Sequence, residues 1–205
     1  MIRNSLKIVR LSGVAEQLRD LGDAAGRISA DVVNDTVDFA FDRSKELILD
    51  DVMFPSGYLE LGNNFQIKQR ATESKPVASI TARHRATSLA RFVVGSPQPY
   101  ARGGVKIRIR RGGATHMRNA WVTGLNKGNR GVATRVRPGG TIPGRKKGTR
   151  GLPVLRKDER GTTYLLYGPS VNQVFEDVSG DVKPEVAEYM SDQFFRRYKR
   201  ELKKR

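Results

Sequence analysis

Residue types that could do chemistry occur at few places in this chain. Ser170 lies in Tyr167-Gly168-Pro169-Ser170-Val171-Asn172-Gln173-Val174-Phe175, written YGPSVNQVF, and a serine nucleophile needs a base within hydrogen-bonding reach. It is not in a G-x-S-x-G elbow, and no histidine follows it. The two histidines that precede it, His84 in ARHRA and His116 in ATHMRN, sit among arginines with no nearby carboxylate to orient a ring. They read as solvated or structural. Asp31, Asp35, Asp38 and Asp42, at spacings of four, three and four, share one helical face, but a metal site needs oxygen ligands converging from a second element. A face that is solvated, or paired with a basic surface, is the expectation. GTIPGRKKGT lacks the G-x-x-x-x-G-K-[ST] spacing of a phosphate loop. The sequence therefore predicts no catalytic residue, no cofactor and no metal.

Charge is the stronger signal. The 205 residues carry a net charge of +17, distributed unevenly. Residues 1–65 hold 7 basic and 11 acidic side chains, residues 66–157 hold 22 basic side chains against Glu73 alone, and residues 158–205 hold 9 of each. So one-sided a middle repels itself unless anions, solvent or an acidic surface compensate it. Arg135, Arg137, Arg145, Lys146, Lys147 and Arg150, with Lys106, Arg108 and Arg110, are the candidate contacts to a polyanion or partner. Aromatic residues are sparse there and no DNA-reading motif appears, so readout of base sequence is not implied. Without cysteine there is no disulfide scaffold or thiolate site, which fits assembly in a reducing cytoplasm. Charges interrupt every apolar run of MIRNSLKIVRLSGVAEQLRD, so neither a signal peptide nor a membrane span is expected.

The elements that must position these residues follow from periodicity. Residues 13–52 are helical, with a break near Gly22 or Gly26 and then a long helix in which Ile28, Val32, Ala40, Leu47 and Ile48, with Phe39 or Phe41, form the apolar face. After Pro55-Ser56-Gly57 the period becomes two. Strands are expected at Phe65–Gln69, Val77–Arg83, Val105–Arg110, Trp121–Thr123, Gly131–Val136 and Thr162–Tyr167. Residues 138–152, within RPGGTIPGRKKGTRGLP, have too little apolar content to pack and read as an arm. A C-terminal helix has Pro184 in its first turn and Val186, Met190, Phe194, Tyr198 and Leu202 as its stripe. The expected fold class is α+β: two N-terminal helices, a basic mixed or antiparallel sheet with a Gly/Arg-rich arm, and a C-terminal helix. One domain, 1–205, would comprise a helical part at 10–62, a β-rich part at 63–167 and a corner with the terminal helix at 168–205.

Together, PSGYL after the helices, TSLARF at Thr87–Phe92, the alternating VKIRIRRGG and the late LLYGPSVNQVF resemble one family, the prophage minor tail protein Z group, or tail completion proteins, of long-tailed bacteriophages. The resemblance runs from about residue 15 to the end, and SLARF and YGPSV are its most specific pieces. The insertion-like stretch GGTIPGRKKGTRG departs from it and matches no fixed motif. The resemblance implies a non-enzymatic virion component at the head-proximal end of the tail, assembled in the host cytoplasm, needed for tail completion and head–tail joining and linked to placement of the DNA end. Implied partners are further copies in a ring, tail terminator, tail tube or head–tail connector proteins, and double-stranded DNA, with no membrane. Leu89, Arg91, Phe92, Tyr167, Gly168, Pro169, Ser170, Val171 and Phe175 would form the docking or subunit interface. The alternative is a basic nucleic-acid-binding protein, ribosomal-like or chromatin-like, which has no reason to carry the two motifs.

Overall fold

The computed structural model describes residues 6–7, 24–142 and 150–203. The first expected N-terminal helix falls largely outside the described residues, as do Arg145, Lys146 and Lys147 of the expected arm. The class is α+β, with a long helix, antiparallel sheets and a C-terminal helix. The chain packs as two compact units, each built from separated segments: unit 1 from 1–49, 57–84 and 171–205, and unit 2 from 50–56 and 85–170.

Unit 1 rests on two long helices, α1 (Ala24–Asp51, its last two residues grouped with unit 2) and α2 (Val171–Leu202). The buried face of α1 includes Ile28, Val32, Ala40 and Ile48 as expected, and also Val33, Thr36, Val37 and Ser44. Thr36 fits because its hydroxyl donates to the Val32 carbonyl one turn back, at 2.6 Å. Phe39 and Phe41 both find partners, Phe39 stacking on Tyr189 and Phe41 on Phe65. The helices run in opposite directions: Phe39 meets Tyr189, and Arg43 bonds Glu185 at 2.8 Å. Further toward the start of α1, Arg197 binds Asp31 and Asp35. Asp31, Asp35 and Asp38 of the aspartate face are thus paired with basic side chains, Asp38 taking both forks of Arg70 at 2.7 and 3.0 Å. Arg43 holds the Glu185 carboxyl below its ordinary range, and Lys45 does the same for Glu60.

One expectation about α2 is corrected. Pro184 is not in a first turn; it lies inside a continuous helix that begins at Val171. The reason is the apolar stripe, which runs through it: Val171, Val174, Phe175, Val178, Val182, Val186 and Phe194 are all buried, at helical spacings. Burial along that whole length outweighs the one backbone donor that proline removes. The remaining part of unit 1 is a three-stranded antiparallel sheet in the order β1 (Leu6–Lys7), β3 (Ser79–Ala82), β2 (Phe65–Gln69). Its Phe65 ring meets Phe175 of α2 edge-on.

Unit 2 holds a two-stranded ribbon of β4 (Val105–Ile107) and β5 (Thr115–Met117), and a four-stranded antiparallel sheet. The order in that sheet is β6 (Ala120–Gly124), β7 (Arg130–Val136), β9 (Gly161–Leu166), β8 (Val154–Asp158). The alternating stretch 105–110 is strand only to Ile107, although Arg108 and Arg110 remain exposed as the alternation requires. Past Ile107 the backbone pairs with irregular segments instead, the Arg108 amide donating to Phe92 at 2.8 Å and the Ile109 carbonyl accepting from Met53 at 2.7 Å. At the first flank of the expected arm Ile142 is buried, and residues 143–149 lie outside the described residues.

Candidate functional site

The two segments that carry the family resemblance meet inside unit 2. Leu89–Phe92 forms a 3₁₀ turn, and just ahead of it Ser88 pairs with Tyr167 as an antiparallel bridge. The Gly168 amide donates to the Thr87 carbonyl at 2.8 Å, and the Thr87 amide to the Pro169 carbonyl at 3.4 Å. The Ser88 hydroxyl donates to the Arg130 carbonyl at 3.2 Å, which ties the turn to β7. Gly168 is required by this approach: a methyl there would lie 2.8 Å from Phe92 Cε2 and 3.7 Å from Leu89 Cδ1. Leu89 and Phe92 of SLARF are therefore packed onto the glycine of YGPSV.

Burial sorts the candidate docking residues. Leu89, Phe92, Ser170, Val171 and Phe175 are buried within the chain, so their surface serves the fold; Tyr167, Gly168 and Pro169 are half-buried and Arg91 is exposed. Ser170 is 2% exposed and immediately precedes the first residue of α2, the position of a helix cap. His84 and His116 are both exposed, and His116 Nε2 lies 2.8 Å from the Gly103 carbonyl. Among the described residues no cluster of histidine and carboxylate side chains could hold a metal. No described helix is long and apolar enough to cross a membrane.

The basic candidates divide between two places. Lys106, Arg108 and Arg110 are exposed on and just after β4, with Arg110 3.3 Å from Asp51 and its neighbour Arg111 3.0 Å from Asp50. Arg150 is exposed at the end of the arm. Arg135 and Arg137, in contrast, belong to an open concavity of about 1060 Å³. Four separate stretches form its walls: Tyr100–Gly104, Arg118–Trp121, the end of β7 with the turn after it, and Glu159–Arg160 of the β8–β9 turn. Among the described residues five arginines line it, Arg102, Arg118, Arg135, Arg137 and Arg160, against one carboxylate, Glu159. All but Arg135 are exposed. Arg135 is fixed by Asp158 at 3.7 Å and by Thr163, its cross-strand neighbour on β9.

Register explains why Trp121 and Arg135 share this site. Trp121 is paired with Ala133, and Ala133 and Arg135, two residues apart on β7, project to the same face. Tyr100 is held at the rim at both ends: its amide donates to the Val122 carbonyl at 2.8 Å, and its hydroxyl accepts from Thr123 Oγ1 at 3.1 Å. Its φ of 62° is left-handed, a conformation that costs a bulky side chain about 1–3 kcal/mol, yet the residue is 65% exposed. Gly104, at φ 85°, lets the first wall nest against the third residue of β5, since a methyl there would sit 2.5 Å from the Met117 carbonyl oxygen. Of this lining Arg135 and Arg137 are among the candidate contacts read from the sequence, and Arg102, Arg118, Arg160, Tyr100 and Trp121 are not. Their convergence is created by strand pairing between segments distant in sequence, which no local spacing records.

Comparison of the chain with known protein families, with curated proteins and with solved structures finds no match in any of the three.

Proposed function

We propose that this chain is a structural virion protein of a long-tailed bacteriophage, a tail completion or minor tail protein working at the head-proximal end of the tail in tail completion and head–tail joining. The observation that carries the reading is the pairing of the two motif segments. SLARF and YGPSV, far apart in sequence, form one backbone-bonded corner in which Gly168 accepts Phe92 and Leu89. Two motifs that share one packing contact make a single feature, so their joint presence weighs more than either alone. In this reading the chain turns over no substrate and assembles as a ring with further copies of itself. It meets tail terminator, tail tube or connector proteins through the accessible parts of the corner, the exposed Arg91 and the half-buried Tyr167. The basic surface of unit 2 faces an acidic neighbour or the DNA end.

The test is deletion of the encoding gene from its phage genome, with electron microscopy of the lysate. Separate heads and tails are expected, and joined particles should return when the full chain is supplied in trans. Normal yields of joined, infectious particles without the gene would overturn the proposal. The competing reading, a ribosomal-like or chromatin-like nucleic-acid-binding protein, draws on the arginine-lined concavity and predicts binding that weakens steeply with salt and requires no tail partner.

A further inference from the structure

We infer that the arginine-lined concavity of unit 2 binds single-stranded nucleic acid, the arginines holding the sugar–phosphate chain while a base stacks on Tyr100. The inference does not rest on the tail reading, because it uses only this site. Four exposed arginines, Arg102, Arg118, Arg137 and Arg160, surround the space, and guanidinium forks match phosphate oxygens in pairs. At about 1060 Å³ and open to solvent, the concavity is just above the ~300–1,000 Å³ range of small-molecule clefts and cavities, as suits a chain passing through it.

Tyr100 selects the class of polyanion. Its ring is largely exposed, its amide and hydroxyl are both tied to β6, and its backbone is held in the left-handed region. An aromatic residue kept exposed in a strained conformation, beside arginines, is a stacking platform. A duplex keeps its bases stacked on one another and would offer this ring nothing, and an acidic peptide has no π-face to match it. A single strand offers both phosphates and unstacked bases.

Trp121 is the only tryptophan of the chain and lines the same concavity, so binding there can be read without a label on the protein. The full chain is titrated with oligo(dT) and oligo(U) of ~12 nucleotides, within the range single-strand sites cover, in ~50 mM salt. The same is done with a duplex of equal length and with poly-glutamate. Saturable change of Trp121 emission by the single strands is expected, with affinity falling as salt rises. Oligo(dT) and oligo(U) binding alike would mean that phosphate and base alone are read, and preference for one that the sugar is read as well; either supports the site. Tyr100→Ala should weaken binding by about 5- to 100-fold without altering the salt slope. Tyr100→Phe should retain it, while Arg118→Ala and Arg160→Ala should each lower the slope by ~0.7. Binding that leaves Trp121 emission unchanged, or duplex or poly-glutamate binding as tightly as the single strands, would overturn the inference. These wild-type measurements decide the matter even if a Tyr100 variant fails to fold.

Discussion

Gly168 is the residue on which the motif corner turns. Replacing it with alanine places a methyl 2.8 Å from Cε2 of Phe92, inside the closest approach carbon atoms tolerate, and a tight 3.2 Å from Cδ2. Phe92 is buried and its ring is 5.7 Å from that of Phe54, so it cannot turn aside without disturbing that contact. Gly168→Ala should therefore destabilise the chain by about 1–3 kcal/mol, the usual cost of overpacking. Phe92→Ala should cost about 3–5 kcal/mol through the cavity it leaves. The informative measurement is the double variant in urea unfolding. With the ring removed, Gly168→Ala should cost close to nothing, because the clash has no partner. An equal cost in both backgrounds would show that the two residues are not coupled and would detach the two motifs from one another. Ser170, beside this corner, illustrates what local sequence can and cannot convey. Gly168 and Pro169 mark a corner there, whereas the start of the long helix at Val171 and the burial of Ser170 depend on residues far away in the chain.

Among the elements, α2 departs furthest from what local sequence implies. Pro184 lacks the donor that would reach the Gly180 carbonyl, and Gly180 itself has open space where a side chain would stand. Both are exposed. Pro184→Ala should restore that bond and raise stability by about 1–3 kcal/mol. Gly180→Ala should add about 0.5–1 kcal/mol. Thermal and urea unfolding would check both, and a loss of stability in Pro184→Ala would contradict a continuous helix through 184. Strands whose one face is buried were legible: β2, β3, β6, β7 and β9 all fall within or beside expected segments, since alternation records burial directly. β5 and β8 were not. Thr115 and His116 of β5 are exposed, and on β8 four of five residues are exposed, Val154 and Leu155 included, so neither strand carries an alternating pattern to read. The burial of Ile142 was not legible for a related reason, because one apolar residue in a polar stretch leaves no period behind.

For the whole molecule, folding redistributes charge in a way the linear order conceals. The acidic first 65 residues and the basic middle suggest a negative head and a positive body. Instead, unit 1 brings the aspartates of α1 together with Arg70 and Arg197, so that its segments hold 19 lysines and arginines against 17 carboxylates. Unit 2 holds the other 19 basic residues against four carboxylates, Asp50, Asp51, Asp158 and Glu159. Nearly the entire excess of +17 therefore belongs to unit 2, and any polyanion should be felt there. Affinity for heparin or nucleic acid depends on salt with a slope of ~0.7–0.9 per phosphate contacted, so the slope counts contacts. Charge reversal at exposed positions of α2, Arg196→Glu with Lys199→Glu, should leave that slope unchanged, because those cations belong to a nearly balanced unit. The same formal change at Arg102 and Arg137 should reduce it by two contacts, or ~1.4–1.8. The comparison holds net charge constant between the two variants and moves only its location. Equal slopes in both would mean that polyanions respond to the total charge of the chain, and that unit 2 presents no distinct binding surface.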